Sequence, residues 1–203
     1  VTSKLAGKHA RGIAVIRVSG PGVQQIAAAM LGKLPQPRHA ELRDFLDAEG
    51  QAIDTGIALL FSAPDSYNGE DVLELQAHGG AVVLQLLLAR CLEAAAETDP
   101  ATQRPRLPYL RLAQPGEFTQ RAFLNGRLDL TQAEAVADLI HSRTDLALRA
   151  ANEQLAGKLS ARINQLRDDL MHTLAHIEAH LDFPEEDIAP NTHAQLKHQL
   201  ASG

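Results

Sequence analysis

Two hydrophobic rhythms divide the chain. Up to about residue 112, short apolar runs alternate with clusters of turn-forming residues; beyond Pro115-Gly116, apolar positions recur every three or four residues. In the first part, residues 13–18 (IAVIRV) are short, rich in β-branched side chains and closed by Ser19-Gly20-Pro21, the signature of a buried strand. Pro21 suits a first helical turn and Gly32 the position just past a last one, which predicts a helix over 21–31. Segments 39–46 and 52–61 read as a strand pair joined around Asp47-Ala48-Glu49-Gly50, and residues 63–69 (APDSYNG) as a loop. A further strand is predicted over 72–77, then a turn at His78-Gly79-Gly80 and a largely apolar helix over 81–96. Three prolines over 98–108 mark a loop.

In the second part, Thr131-Gln132-Ala133-Glu134 has the form of a capping box, with the two end residues satisfying each other's free backbone donors. Apolar residues at 136, 139, 140, 146, 147, 150, 151 and 155 form one helical stripe. After Gly157 a second stripe runs through Leu159, Ile163, Leu166, Leu170, Leu174, Ile177 and Leu181, until Phe183-Pro184 ends it. A last helix-like stretch covers 192–201. The expected organisation is an α+β domain over 1–113 followed by an all-α segment over 114–203.

Composition narrows the class. Among 203 residues there are 33 Ala and 31 Leu against 3% aromatics and no Trp, which favours helix packed on helix. A single cysteine, Cys91, rules out a disulfide framework and cysteine-paired zinc. No apolar run approaches the roughly 20 residues of a membrane span, and the opening VTSKLAGKHARG lacks a signal-peptide core. A net charge of −6 argues against gripping nucleic acid by bulk charge. The expected protein is soluble and resident in a reducing compartment.

Few residues stand out as chemistry. Arg17 and Glu74 each interrupt an apolar strand, and charges in such places are paired or face a ligand. They pair with each other, line an exposed sheet face, or form a pocket where a carboxylate accepts two N–H donors from an aminopyrimidinone-like edge. His78-Gly79-Gly80 is a tight turn, with His78 as its cap, or a place where backbone approaches an anion. The polar stretch Gln114-Pro115-Gly116-Glu117-Phe118, followed by Arg121, Asn125, Arg127 and Asp129, is a hinge or a ligand site at a domain junction. Residues 152–159 (NEQLAGKL) fail as a phosphate loop, lacking its first glycine and final hydroxyl residue. His172, His176 and His180 step by four on one helix, a spacing that could bind a metal, but they lie off the apolar stripe and read first as a solvated face. Cys91 lies in an apolar helix and reads as an inert buried thiol.

Taken together, GIAVIRVSG at 12–20, SYNGEDVLEL at 66–75, HGG at 78–80, PGEFTQRAFLNGRLDLTQAEAVADLI at 115–140 and DFPEE at 182–186 resemble, in order, the N-terminal part of the MnmE/TrmE family of tRNA-uridine modification GTPases. The resemblance implies an aminomethyltransferase-like α+β domain that binds a tetrahydrofolate derivative, 5,10-methylene- or 5-formyl-tetrahydrofolate, and forms a homodimer. It implies a helical domain into which a GTPase domain, with GTP, Mg2+ and K+, is inserted. It further implies a cytoplasmic, membrane-free assembly with an FAD-dependent partner and tRNA, acting at C5 of the wobble uridine. By motif, the folate-contacting positions fall on Arg17, Glu74 and Arg127, the last often Lys in the family. No catalytic or metal-binding residue is carried over. Neither the GTPase motifs nor a counterpart of the family's C-terminal cysteine is present, so the chain reads as a fragment unable to hydrolyse GTP or complete tRNA modification by itself. Two other readings stay open: a dimerisation scaffold without folate binding, and a free-standing folate-dependent enzyme resembling aminomethyltransferases.

Overall fold

The computed structural model describes residues 2–3, 11–98 and 103–182, and the chain divides into compact units Val1–Arg127 and Leu128–Gly203. The first unit holds β1 (Thr2–Ser3), β2 (Arg11–Ser19), α1 (Val23–Leu31), β3 (Glu41–Leu46), β4 (Ala52–Phe61), β5 (Val72–Gly79), α2 (Ala81–Ala96) and α3 (Glu117–Leu124). Its five strands form one antiparallel sheet in the order β1-β2-β5-β4-β3. Strand alternation decides what each face carries. Ile16 and Val18 of β2, Leu73 and Leu75 of β5 and Leu60 of β4 are buried with Ile26 and Met30 of α1 and Leu84 and Leu87 of α2. Arg17, Glu74 and Gln76 fall on the alternate positions, only partly buried, beside the exposed Val15 and Ile57. Gly56 is required where β4 passes β5: a Cβ there would lie 2.1 Å from the Gln76 carbonyl oxygen.

The second unit holds α4 (Leu130–His141), α5 (Asp145–Leu155) and α6 (Lys158–Asp182). Gln132 and Gln154 stitch the first two together, each donating to a backbone carbonyl on the other helix, at 2.9 Å to Leu155 and 3.0 Å to Thr131. Thr131 Oγ1 also meets Ser160 Oγ at 2.7 Å, tying the start of α6 to α4. The α+β and helical classes expected from the pattern are both present.

Several details differ from expectation. α1 begins at Val23, because Gly22 takes a left-handed φ of 82° and stands outside the helix. Residues 114–127, read as the start of the helical segment, fold within the first unit as α3 and its flanks; the division falls after Arg127 and not near 113. The capping box is Asp129 with Gln132, not Thr131 with Glu134: Asp129 accepts from the Gln132 backbone N–H at 2.8 Å and Gln132 returns the bond at 3.0 Å. The stripe over 136–155 is carried by two helices, since Thr144 caps a new start by accepting from the Ala147 N–H. The expected stop at Phe183-Pro184 and the stretch 192–201 lie outside the described residues.

Candidate functional site

The two strand charges meet. Register sets Arg17 directly opposite Glu74 on β2 and β5, and Arg17 Nε donates to Glu74 Oε1 at 2.7 Å, with Nη2 on the same oxygen. Their side chains are 34% and 15% exposed, so the pair is half-buried and reachable. Both contacts land on Oε1; no described residue donates to Oε2. Arg17 also lies over the Phe118 ring, its Cζ 5.6 Å from the centroid, within range of a cation–π contact.

Phe118 is brought there by α3, and α3 is fixed by Glu70. That carboxylate accepts from Ser19 Oγ at 2.9 Å, from Asn68 Nδ2 at 3.1 Å and from Arg121 Nε at 3.1 Å. Asn125 Nδ2 adds a 2.7 Å bond to the Asn68 carbonyl. Asn68 is wholly buried and also donates to Ser19 at 2.7 Å, which makes the loop over 63–69 a rigid bracket between β2 and α3. Gly69, at φ +78°, allows the Arg127 stem to lie against it; a Cβ there would stand 3.1 Å from Arg127 Cγ. The Arg127 side chain is exposed, and among the described residues its guanidinium takes part in no hydrogen bond or ion pair. The structure thus pairs Arg17 with Glu74 and sets Arg127 beside the loop that leads into β5.

Beside the pair, Ser19, Phe118, Arg121 and Tyr109 line a cavity of about 300 Å³. Its rim carries Glu117, gripped by Arg111 Nη1 and Nη2 at 2.8 and 2.9 Å. That fork, joined by the Gln114 N–H, pulls the Glu117 carboxyl down to about 2.

His78 does not cap α2, which lacks a side-chain cap. Instead its backbone N–H and its Nδ1 both engage Asp54, at 2.8 Å each. Burial pushes the Asp54 carboxyl up, but these bonds from His78 outweigh it and hold it below the usual range. Cys91 is fully buried, and burial pushes its thiol up to about 12, so little thiolate forms near neutrality. His172 and His176 are exposed, and among the described residues no group of three metal-ligating side chains gathers. Among them also, no helix is long and apolar enough to cross a membrane.

Sequence reasoning found the pair but not what frames it. Asn68 and Phe118 sit in segments read as loop or hinge, and Glu70 falls between the predicted loop over 63–69 and the strand over 72–77. The available signal was Glu117 with Arg121 just after Pro115-Gly116, an acidic first turn with a base one turn later.

Comparison with known proteins agrees with this architecture. Residues 2–127 match a family model described as GTP-binding protein TrmE N-terminus, and residues 130–202 one described as MnmE helical domain. A tRNA modification GTPase MnmE of Paracidovorax citrulli is 58% identical over 190 residues, 94% of this chain and 39% of that protein. One of Methylibium petroleiphilum is 56% identical over 189 residues, covering 93% and 40%. One of Leptothrix cholodnii is 60% identical over 176 residues, covering 87% and 36%. The chain therefore spans about 40% of the length of such relatives. The two family models meet within two residues of the structural division and between them cover nearly the whole chain, which belongs to the MnmE/TrmE family.

Proposed function

We propose that this chain is the folate-binding and dimer-forming front part of a cytoplasmic tRNA-modifying GTPase, holding a 5,10-methylene- or 5-formyl-tetrahydrofolate for modification at C5 of a wobble uridine. GTP hydrolysis with Mg2+ and K+, the FAD-dependent partner and tRNA itself belong to the whole assembly in this reading. The observation that carries it is Glu74 on the open sheet face, with Oε1 held by Arg17 and Oε2 left to accept from the N–H edge of a pterin ring. Arg17 fixes the carboxylate and presents its remaining donors to a ring carbonyl; Arg127 supplies a further cation for an oxygen-bearing group. Calorimetric titration of 5-formyltetrahydrofolate into the chain tests this. Binding by the native chain, weakened about tenfold or more in Glu74→Ala, is expected from loss of a charged hydrogen-bonding group. Absence of heat with the native chain, or equal affinity in the variant, rejects the assignment.

A second reading has one observation in its favour. Arg17 and Glu74 already satisfy each other, so the pair needs no ligand, and exposed Val15, Leu42 and Ile57 invite a protein cover. In that reading the first unit is a dimerisation scaffold only. Sedimentation showing a dimer together with no response to folate would favour it. A free-standing aminomethyltransferase-like enzyme would instead turn over a folate one-carbon donor without GTP.

A further inference from the structure

We infer that residues 103–112 form a contact surface for RNA with unpaired bases, such as a hairpin loop. This rests on the reading of the chain as part of a tRNA-modifying protein. The segment (QRPRLPYLRL) carries Arg104, Arg106 and Arg111 and no carboxylate, in a chain whose net charge is −6. Positive charge gathered on one stretch of an acidic protein attracts phosphates locally where bulk charge does not.

The backbone displays one ring to solvent. The Leu110 N–H donates to the Leu107 carbonyl at 3.1 Å, closing a turn with Pro108 and Tyr109 at its corners. Leu107 and Leu110 pack against the core, and the Leu107 N–H donates to the Ala95 carbonyl at 2.9 Å. The turn is therefore anchored at both ends, and Tyr109 projects from its tip, 92% exposed. A ring so exposed buries almost nothing within the fold, yet it is open to stacking. Unpaired bases stack on such rings, whereas bases inside a duplex are already covered by their neighbours. Around the ring, two arginines are held in place. Arg106 meets Glu97 at 3.0 Å, and Arg111 forks onto Glu117. Glu97 also pairs with Arg90, so one carboxylate is shared between two cations. Arg104 is exposed and, among the described residues, takes part in no hydrogen bond or ion pair. The surface thus keeps an excess of positive charge after pairing, with Arg104 as the cation open to a phosphate.

Fluorescence anisotropy of labelled RNA tests this with the chain and with Tyr109→Ala, Tyr109→Phe and Arg104→Gln. The probes are a short RNA hairpin with a uridine-rich loop and a fully paired RNA duplex of the same length. Both residues are exposed, so the variants should keep the native circular dichroism. Tyr109→Ala is expected to weaken hairpin binding about tenfold, the scale of one lost base stack, and to leave the duplex unchanged. Tyr109→Phe should restore the native affinity. Arg104→Gln should weaken both RNAs and lower the salt dependence by about one phosphate contact, with 5-formyltetrahydrofolate binding unchanged. If the native chain binds the hairpin and Tyr109→Ala binds it equally, RNA is held elsewhere; the surface falls and the tRNA reading stands. If the chain binds the folate but no RNA, the surface falls while the folate reading stands, and if it binds neither, both fall. Displacement of the hairpin by poly-glutamate as readily as by unlabelled hairpin would mark a general anion contact and overturn the choice of RNA.

Discussion

The two units hide their apolar residues to very different degrees. In Val1–Arg127 a sheet and two helices enclose a core in which Ile16, Phe45, Leu73, Leu75, Leu84 and Leu87 are fully or almost fully out of water. In Leu128–Gly203 Ala135 alone among the described residues is buried to that degree, with Ala151 at 3% and Thr173 at 9% next. The stripe on α6 is open: Ile163 is 51% exposed, Leu170 49% and Leu174 48%. Leucine is abundant in both units, so composition does not make the difference. A sheet presents one whole face to be covered, and α1 and α2 cover it. In the helical unit the close contacts are made through alanine, which brings backbones together without burying much area.

The largest effect expected from this contrast is at Leu75. It is fully buried at the centre of β5, and truncation to Ala should cost about 2–5 kcal/mol, as lost transfer energy plus a cavity. Urea unfolding should show the loss, and hydrogen exchange should rise across β2, β4, β5 and α2. Amides of α4 and α5 should keep their protection, since the two units have separate cores. Equal loss in α4 and α5 would show that the units unfold as one and would dissolve the comparison.

Legibility followed the same divide. Strands β2 to β5 were readable because short apolar runs were bounded by turn residues, and the Arg17–Glu74 pair because charges inside such runs are conspicuous. α3 was not, because it is eight residues long and buries only Ala122. Its anchoring is polar: Glu70, Asn68 and Asn125 act across more than fifty sequence positions, and no local pattern announces such bonds. The capping box was placed two residues late for a related reason. Thr131 and Glu134 satisfy the motif, but so do Asp129 and Gln132, and packing decides between them. Thr131 turns its hydroxyl to Asp129 and Ser160, leaving Asp129 to meet the helix end.

That choice gives an intermediate effect in the helical unit. Asp129→Ala removes the acceptor of the Gln132 N–H and should cost about 1 kcal/mol, the usual value of an N-cap side chain. Exchange of the first-turn amides of α4 should accelerate by about fivefold, matching that energy. Glu134→Ala, which leaves the observed box intact, should change these amides little. If Glu134→Ala proves the more damaging, the box is the one first read from sequence and the assignment of Asp129 fails.

The smallest effect belongs to the α6 stripe, and its smallness is informative. Leu170 is 49% exposed, so truncation to Ala forfeits only part of a side chain's burial. Alanine also has a slightly higher helix propensity, which offsets some of that loss. The net change should stay within about 0.5 kcal/mol, as at ordinary surface positions. Measured by the exchange of α6 amides at low protein concentration, the variant should match the native chain. A loss above about 1 kcal/mol would mean that Leu170 is covered in solution, since exposed side chains do not carry that much stability. Repeating the measurement over a range of concentration then identifies the cover: a penalty that grows with concentration comes from a second copy, because association stabilises by mass action, and one that does not comes from within the chain.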